Sequence, residues 1–488
     1  MSLIQVQHLT FGYDGSYELI FDDVSFVLDT HFKIALIGRN ARGKTTLLKL
    51  MMHEYEYQGQ IMIHEKCCYF PYEVKNPQLL TLDVCYEIEP SLENWRLEKE
   101  LRLLGMDAMD VFYRPFETLS HGEQTKVLLA ILFLKEHSFL LIDEPTNHLD
   151  QDSRLKIGEY LKRQKGFLLV SHDRYFIDSC CDHVMAINPQ SIDVVNGNFS
   201  SWYEDKTKKD EREMMLNKKL KKDIVKMESS KRQKQNWGYQ IEKSKKGAAD
   251  KGYVGHMAAK MMKRSRAIEK RQQQAIEKKK TLLKDIEEYD DLKIHCLKYF
   301  QNQILQFQHF SLSYDHHQIF EDLSLTIHQH DRILLKGPNG CGKSSLIRFI
   351  LGEKIEYDGQ YICGSQLKIS YVPQDCTFLS GQLDDWIEQC HSDLTLVKTL
   401  LRKLGFSREH FDIPLEKLSQ GQKKKVMLAI SLASPAHLYI WDEPLNYIDI
   451  FSRIQIEQAI LTYQPTLLFV EHDQYFQQKI ATEVIDFS

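Results

Sequence analysis

Apolar and polar positions alternate over Ile4 to Phe11 and again over Ile304 to Leu312, the period of a strand with one covered face. Each is followed by a shorter, more continuously apolar stretch, Lys33 to Ile37 and Arg332 to Lys336, that runs into a glycine-rich loop. Further apolar runs at Ser138 to Ile142 and Gly166 to Val170 alternate with helical stretches such as Gly122 to Leu134. This alternation predicts an α/β core with a largely parallel sheet, in which phosphate-type loops belong at the strand ends.

The pattern changes between about Glu204 and Phe300. Strand signals vanish there, and Leu216, Leu220, Ile224 and Met227 recur at helical spacing, while Met261, Ile268, Ala275 and Leu282 lie seven apart. Two long helices are predicted, roughly 205 to 235 and 258 to 290, packed antiparallel. Gly238, Gly247, Gly252 and Gly255 break the pattern between them and predict a tip loop.

The chain repeats itself. GRNARGKTTLLKL from Gly38 answers to GPNGCGKSSLIRF from Gly337, LSHGE from Leu119 to LSQGQ from Leu418, and the two Asp-Glu-Pro segments place Glu144 and Glu443 299 positions apart. A further shift of one residue aligns SHDRYF, with His172, on EHDQYF, with His472. Motifs in one order at a nearly constant offset predict two copies of one nucleotide-binding domain, residues 1–203 and 301–488, joined by the segment 204–300.

The chemistry of these motifs follows from their placement. A Gly-x-x-x-x-Gly-Lys-Ser/Thr loop between strand and helix offers backbone N–H groups to phosphates. The candidates are Gly38, Asn40, Gly43, Lys44, Thr45 and Thr46 in the first copy and Gly337, Asn339, Gly340, Gly342, Lys343, Ser344 and Ser345 in the second. Lys44 and Lys343 are expected to reach the β and γ oxygens of a bound nucleotide, and Thr45 and Ser344 to ligate Mg2+. An apolar strand ending in Asp-Glu delivers two carboxylates to the same end of the sheet. Asp143 and Asp442 can hold Mg2+ through water, and Glu144 and Glu443 can polarise an attacking water. Ser120 and Gly122, and Ser419 and Gly421, precede helices and suit a γ-phosphate.

Composition excludes several classes. With 43% hydrophobic and 27% charged residues among 488, the chain is neither disordered nor collagen-like, and its length suggests several domains. No apolar run nears the ~20 residues of a membrane-spanning helix. The start, MSLIQVQHLTFGY, has no secretory pattern, so a cytoplasmic address is expected. The ten cysteines are scattered without a CxxC, which argues for reduced thiols rather than a zinc or iron-sulfur site. The net charge of −5 conceals a division: residues 206–284 hold 26 Lys and Arg against 9 Asp and Glu, an excess of +17 that leaves −22 for the rest. A basic block between acidic regions predicts a polyanionic partner.

Together the paired phosphate loops, LSxG segments, DEP boxes and histidines resemble the ATP-binding cassette proteins. The whole chain resembles their ABC-F class: tandem P-loop ATPase domains joined by a charged α-helical hairpin linker, without a membrane domain. The resemblance implies an intramolecular cassette dimer, monomeric as a chain, that closes head to tail on two ATP molecules. Ser419 and Gly421 would complete the Lys44 site, and Ser120 and Gly122 the Lys343 site. It further implies γ-phosphate contacts from His172 and His472, adenine stacking on Tyr13 and Tyr314, and a place in the metal shell for Gln374 of YVPQ.

The linker resembles that of the Lsa-like ribosome-protection proteins, linked to resistance to lincosamides, streptogramin A and pleuromutilins. That likeness implies the ribosomal exit site, 23S rRNA and P-site tRNA as partners, with the hairpin tip near 236–258 directed to the peptidyl-transferase centre. Lys245, Lys246, Lys251, Tyr253, His256, Lys260, Lys263, Arg264 and Arg266 are the RNA-binding candidates, combining cations for phosphates with a ring for stacking. A housekeeping translation factor and a transporter ATPase subunit remain alternatives; DNA is not an expected partner. The first copy departs from the family pattern in YFPY, where Tyr72 stands for the glutamine, and in Ala41, where the second copy has Gly340. In the second copy Leu445, Tyr447 and Glu471 replace Thr146, His148 and Ser171. Tyr72 and Ala41 belong to the composite site built on Lys44, which predicts unequal turnover at the two sites.

Overall fold

In each copy, strands buried on both faces are continuously apolar and form a parallel sheet, as expected where both sides are covered. The computed structural model describes residues 2–13, 19–40, 42–147, 149–188, 191–243, 291–314, 317–338 and 340–487, with the backbone alone over 230–243 and at 317. In the first copy the strands are β1 (Leu3–Phe11), β2 (Phe21–Asp29), β3 (Lys33–Ile37), β4 (Gln58–Met62), β5 (Lys66–Phe70), β6 (Ser138–Asp143), β7 (Phe167–Val170), β8 (His183–Ile187) and β9 (Ile192–Asn196). The larger sheet has the order β5-β6-β7-β3-β8-β9, parallel except for the antiparallel β8/β9 edge. A smaller antiparallel sheet, β2-β1-β4, packs its alternating face against it. The alternation of β1 slips between Val6 and Leu9, where His8 takes φ 53° and the register shifts.

The second copy repeats the plan with β10 (Gln303–Tyr314), β11 (His317–His328), β12 (Arg332–Lys336), β13 (Glu356–Cys363), β14 (Ile369–Val372), β15 (Leu438–Asp442), β16 (Leu467–Val470) and β17 (Glu483–Asp486). Its parallel sheet runs β14-β15-β16-β12-β17, and its antiparallel sheet β11-β10-β13 carries the same slip at His309, φ 47°. Tandem α/β domains of one design are thus present, as the repeated motifs predict.

Each copy also holds a helical insertion between an edge strand of the larger sheet, β5 or β14, and the LSxG segment. Thr81–Ile88, Asn94–Leu103 and Ala108–Phe112 form it in the first copy, and Leu383–Gln389 and Leu394–Lys403 in the second. Its core residues, Leu97, Leu101 and Leu104 or Val397, Leu401 and Leu404, recur at helical spacing and are buried.

The chain divides into two compact units, Met1–Ser200 with Tyr289–Ser488, and Ser201–Glu288. Within the second unit the described part belongs to a 45-residue helix, Phe199–Lys243, longer than the predicted 205 to 235. At 1.5 Å per residue it is roughly 67 Å long. Ile224 of its predicted apolar stripe is buried, whereas Leu216 is exposed. Gly238, predicted to open the tip loop, instead lies within this helix, which carries the backbone through residue 243. The rest of the tip, from residue 244, and the predicted helix 258 to 290 lie outside the described residues.

Candidate functional site

The first phosphate loop joins β3 to the helix Lys44–Met51. Gly43 caps that helix with φ 84°, and a Cβ there would lie 2.4 Å from Ile20, so both conformation and space demand glycine. The Lys44 ammonium is buried and donates to the carbonyls of Gly38 at 2.8 Å and Arg39 at 3.2 Å. Burial lowers its pKa against the pull of Asp449, Glu144 and Asp143. Thr45 donates to Asp143 Oδ2 at 2.7 Å, and Tyr69 to the same oxygen at 3.0 Å. Thr46 is buried and hydrogen-bonded to the Tyr13 hydroxyl at 2.9 Å. Tyr13 presents a half-exposed ring edge-on to Phe11 and Tyr55.

Glu144 follows at φ 49°, with His172 Nε2 3.4 Å from its Oε1, an atom that is buried and accepts no hydrogen bond among the described residues. Burial, reinforced by Asp143, pushes the Glu144 carboxyl up to about 8. Burial and the nearby charges of Lys44 and Arg453 hold His172 well below the ordinary imidazole value.

The second loop repeats these contacts. Lys343 donates to Gly337 O at 2.8 Å and Pro338 O at 2.7 Å, and Ser344 to Asp442 Oδ2 at 3.0 Å. Gly340 and Gly342 take φ 85° and 98°; Ser345 is half-buried on the following helix, Lys343–Ile350. Tyr314 ends β10 with a partly exposed ring, and Asn339 lies outside the described residues. Glu443, at φ 46°, accepts from Asn446 Nδ2 at 2.6 Å and has His472 Nε2 at 3.6 Å. Burial alone would raise its carboxyl, but His472, the Gln374 amide and Lys424 bring it down to about 2. The two glutamates therefore sit in opposite electrostatic settings although their backbones match.

Asp442 Oδ1 is buried and accepts no hydrogen bond among the described residues, and burial followed by the charge of Glu443 raises its pKa. Beside a serine hydroxyl and a lysine turned onto loop carbonyls, this donor set suits a divalent cation with a phosphate-bearing ligand. Thr45 and Asp143 offer the same pair in the first copy.

The two copies meet at the first loop. Asn40 Nδ2 donates to Tyr447 O at 3.0 Å, and Gly421 lies against both groups: a Cβ there would come within 2.6 Å of Tyr447 O and 3.3 Å of Asn40 Nδ2. Ser419, two residues before, caps the helix Gln420–Ala433 through Gln422. Ser120 caps His121–Leu134 in the same way with Glu123, and Gly122 lies against Ser153 and Leu149. Among the described residues no hydrogen bond joins Ser120 or Gly122 to the second phosphate loop.

The family model described as ABC transporter matches residues 21–147 and 320–446, more than half of the sequence. The chain belongs to the ABC transporter family. Each match spans a phosphate loop, an LSxG segment and an Asp-Glu pair, so both copies are ATPase cassettes. Relatives include the ribosome protection protein VmlR of Bacillus subtilis, 28% identical over 476 residues covering 96% of this chain and 84% of that protein. The ATP-binding protein Uup of Buchnera aphidicola is 27% identical over 510 residues, covering 99% and 80%. These full-length likenesses support an ABC-F ATPase. Among solved structures, the archaeal ribosome recycling factor aABCE1, in complex with the ribosomal stalk protein aP1, superposes with a TM-score of 0.65 at 17% identity. It covers 98% of this chain and 87% of that one, a likeness of fold.

Two features of the cassettes escape the motif reading. Arg174, after His172, reaches across to the second cassette: Nη1 donates to Glu457 Oε2 at 3.2 Å, Nη2 donates to Glu457 Oε1, and Asp473 Oδ1 lies 3.7 Å away. Lys479 joins Glu457 at 3.1 Å, and the Tyr475 ring covers the guanidinium at 5.2 Å. At the repeat-related positions stand Gln474, Gly158 and Ser179. There a cavity of about 160 Å³ opens, lined by Arg154, Tyr175, Ser179, His472 and Gln474 among others. The signal was visible as SHDR against EHDQ.

The other feature is Lys424, within a run of three lysines on the helix behind Ser419. That run was itself a signal, since the helix is otherwise apolar over most of its length. The RNA-binding candidates Lys245, Lys246, Lys251, Tyr253, His256, Lys260, Lys263, Arg264 and Arg266 lie outside the described residues. Among the described residues, no helix is long and apolar enough to cross a membrane.

Proposed function

We propose that this chain is an ABC-F ATPase whose two cassettes close head to tail on two ATP molecules and whose linker acts on the ribosome. The observation that carries the first part is the bond from Asn40 to the Tyr447 carbonyl beside Gly421, which sets a phosphate loop of one cassette against the LSxG segment of the other. In this reading Ser419 and Gly421 complete the Lys44 site, and Ser120 and Gly122 the Lys343 site. Loop N–H groups cradle phosphates, and Lys44 and Lys343 exchange their carbonyl partners for phosphate oxygens. Tyr13 and Tyr314 stack on adenine. Mg2+, when bound, supplies charge neutralisation at those oxygens. Thr45 and Asp143 hold it in one site, and Ser344, Asp442 and Gln374 in the other. Glu144 and Glu443 orient and polarise the attacking water, and His172 and His472 hold the γ-phosphate.

The ribosomal part is supported by the likeness to VmlR, a ribosome protection protein, over nearly the whole chain, and by the +17 excess of residues 206–284. Residues 1–203 and 301–488 are the cassettes, and 204–300 the linker that reaches toward the P-site tRNA and the peptidyl-transferase centre. Its movement there protects translation from lincosamides, streptogramin A and pleuromutilins. Sedimentation of the wild type and of Glu144→Gln/Glu443→Gln with ribosomes in the presence of ATP, followed by growth with each drug, tests this. Recovery with membranes would point instead to a transporter subunit; ribosome binding without drug protection would point to a translation factor.

A further inference from the structure

Lys424 is 2% exposed on the helix Gln420–Ala433. An ammonium is tolerated away from water only where its three protons find acceptors. Here they find three backbone carbonyls: Pro373 at 2.6 Å, Gln374 at 3.1 Å and Asp442 at 3.2 Å. Those acceptors belong to two separate segments. One follows β14 and carries Gln374, and the other ends β15 and carries Asp442 and Glu443.

The position of the tie is informative. β14 and β15 pair in parallel up to Val372 opposite Trp441, and the next residue, Pro373, has no N–H with which to continue the ladder. Lys424 joins the two segments from the point where the ladder stops. In the first cassette β5 and β6 likewise pair up to Phe70 opposite Ile142 and meet Pro71. There the helix position equivalent to Lys424 is Thr125, whose one hydroxyl proton cannot serve three carbonyls. The neighbouring Lys425, paired with Asp449 at 2.6 Å, does have a counterpart in Lys126. The tie through Lys424 thus belongs to one site alone.

We propose that Lys424 is a positioning residue of the Lys343 site, clamping the loop of Gln374 to the strand end of Asp442 and Glu443 so that these groups are in register before nucleotide arrives. Preorganised groups need no rearrangement during reaction, and misplacement by about 1 Å can cost 100-fold in rate. The Lys44 site, with Thr125 and Tyr72, has to order its loop on closure. This inference rests on the ATPase assignment and is independent of the ribosomal reading.

The test uses the full chain with Glu144→Gln, so that turnover reports the Lys343 site. Adding Lys424→Thr, the residue of the first cassette, should lower kcat about 10- to 100-fold while KM for ATP changes less than about twofold. Unchanged kcat, or a loss shared equally by KM, overturns the proposal. Should Lys424→Thr fail to fold, amide exchange in the nucleotide-free wild type decides. Residues 374–376 should exchange at least about tenfold more slowly than 72–74, and equal rates would overturn the clamp.

Discussion

Arg174 of the first cassette and Glu457 of the second form a buried ion pair, the arginine 9% and the glutamate 0% exposed as side chains. A buried pair adds little over apolar packing, but removing one partner leaves the other charge stranded. Arg174→Gln, which copies the second cassette, should therefore destabilise the protein by about 3–5 kcal/mol, with Lys479 offsetting part of the loss. Adding Glu457→Gln should restore much of it. Chemical denaturation of the two single variants and the double variant measures the coupling, and additive losses would contradict a functional pair.

The catalytic assignment predicts that Glu144→Gln with Glu443→Gln retains ATP binding but hydrolyses at least about 100-fold more slowly. Of the single variants, Glu443→Gln should lose more, because its site keeps Gln374, Gly340 and Lys424. Steady-state turnover compares them; equal losses would remove the asymmetry.

The opposite settings of the two glutamates give a pH prediction. In Glu443→Gln, kcat/KM for ATP at the Lys44 site, which reports the nucleotide-free enzyme, should climb as pH rises through about 8, where Glu144 loses its proton. In Glu144→Gln the remaining Glu443, held at about 2, is already ionised at pH 5, so this group imposes no such rise. Stability follows with the other sign. Between the ordinary carboxyl value of 4.5 and about 8 the folded state keeps a proton that the unfolded state has lost, so raising pH across that window destabilises the nucleotide-free protein. Melting curves should show that slope flattened in Glu144→Gln.

Neutralising Lys260, Lys263, Arg264 and Arg266 should weaken ribosome association and leave ATP binding intact. Each lost phosphate contact should reduce the log-log salt slope by up to about 0.9. Sedimentation across a salt series reads the slope; an unchanged value would move the RNA contact away from these residues.

Most of the cassette core was legible because its order is local. β3 and β12, the loop glycines, the Ser120 and Ser419 caps and the Asp-Glu strand ends all follow from short-range pattern and spacing. The helical insertion around Leu97 and Leu101 carries the same 3.6-residue periodicity, yet it has no chemical motif to draw attention to it. Arg174 and Lys424 were harder for another reason. Their partners lie 283 and up to 51 positions away, and a lone arginine or a lysine run reads as a solvated surface until the fold brings acceptors to it. Tyr72 and Ala41 flagged the difference between the sites, whereas its electrostatic form, one carboxyl raised and one lowered, arises from tertiary neighbours alone.

The Arg174 contact also bears on how chains sort in a crowded cell. Two first cassettes from different chains would set Arg174 against Gly158, and two second cassettes would set Gln474 against a buried Glu457. Each arrangement loses the Arg174–Glu457 pair, and the second leaves Glu457 with Lys479 alone, so each half matches a copy of itself less well than its covalent neighbour. Swapped assemblies that keep first-to-second pairing escape this penalty, but they forgo the high effective concentration that a shared chain provides.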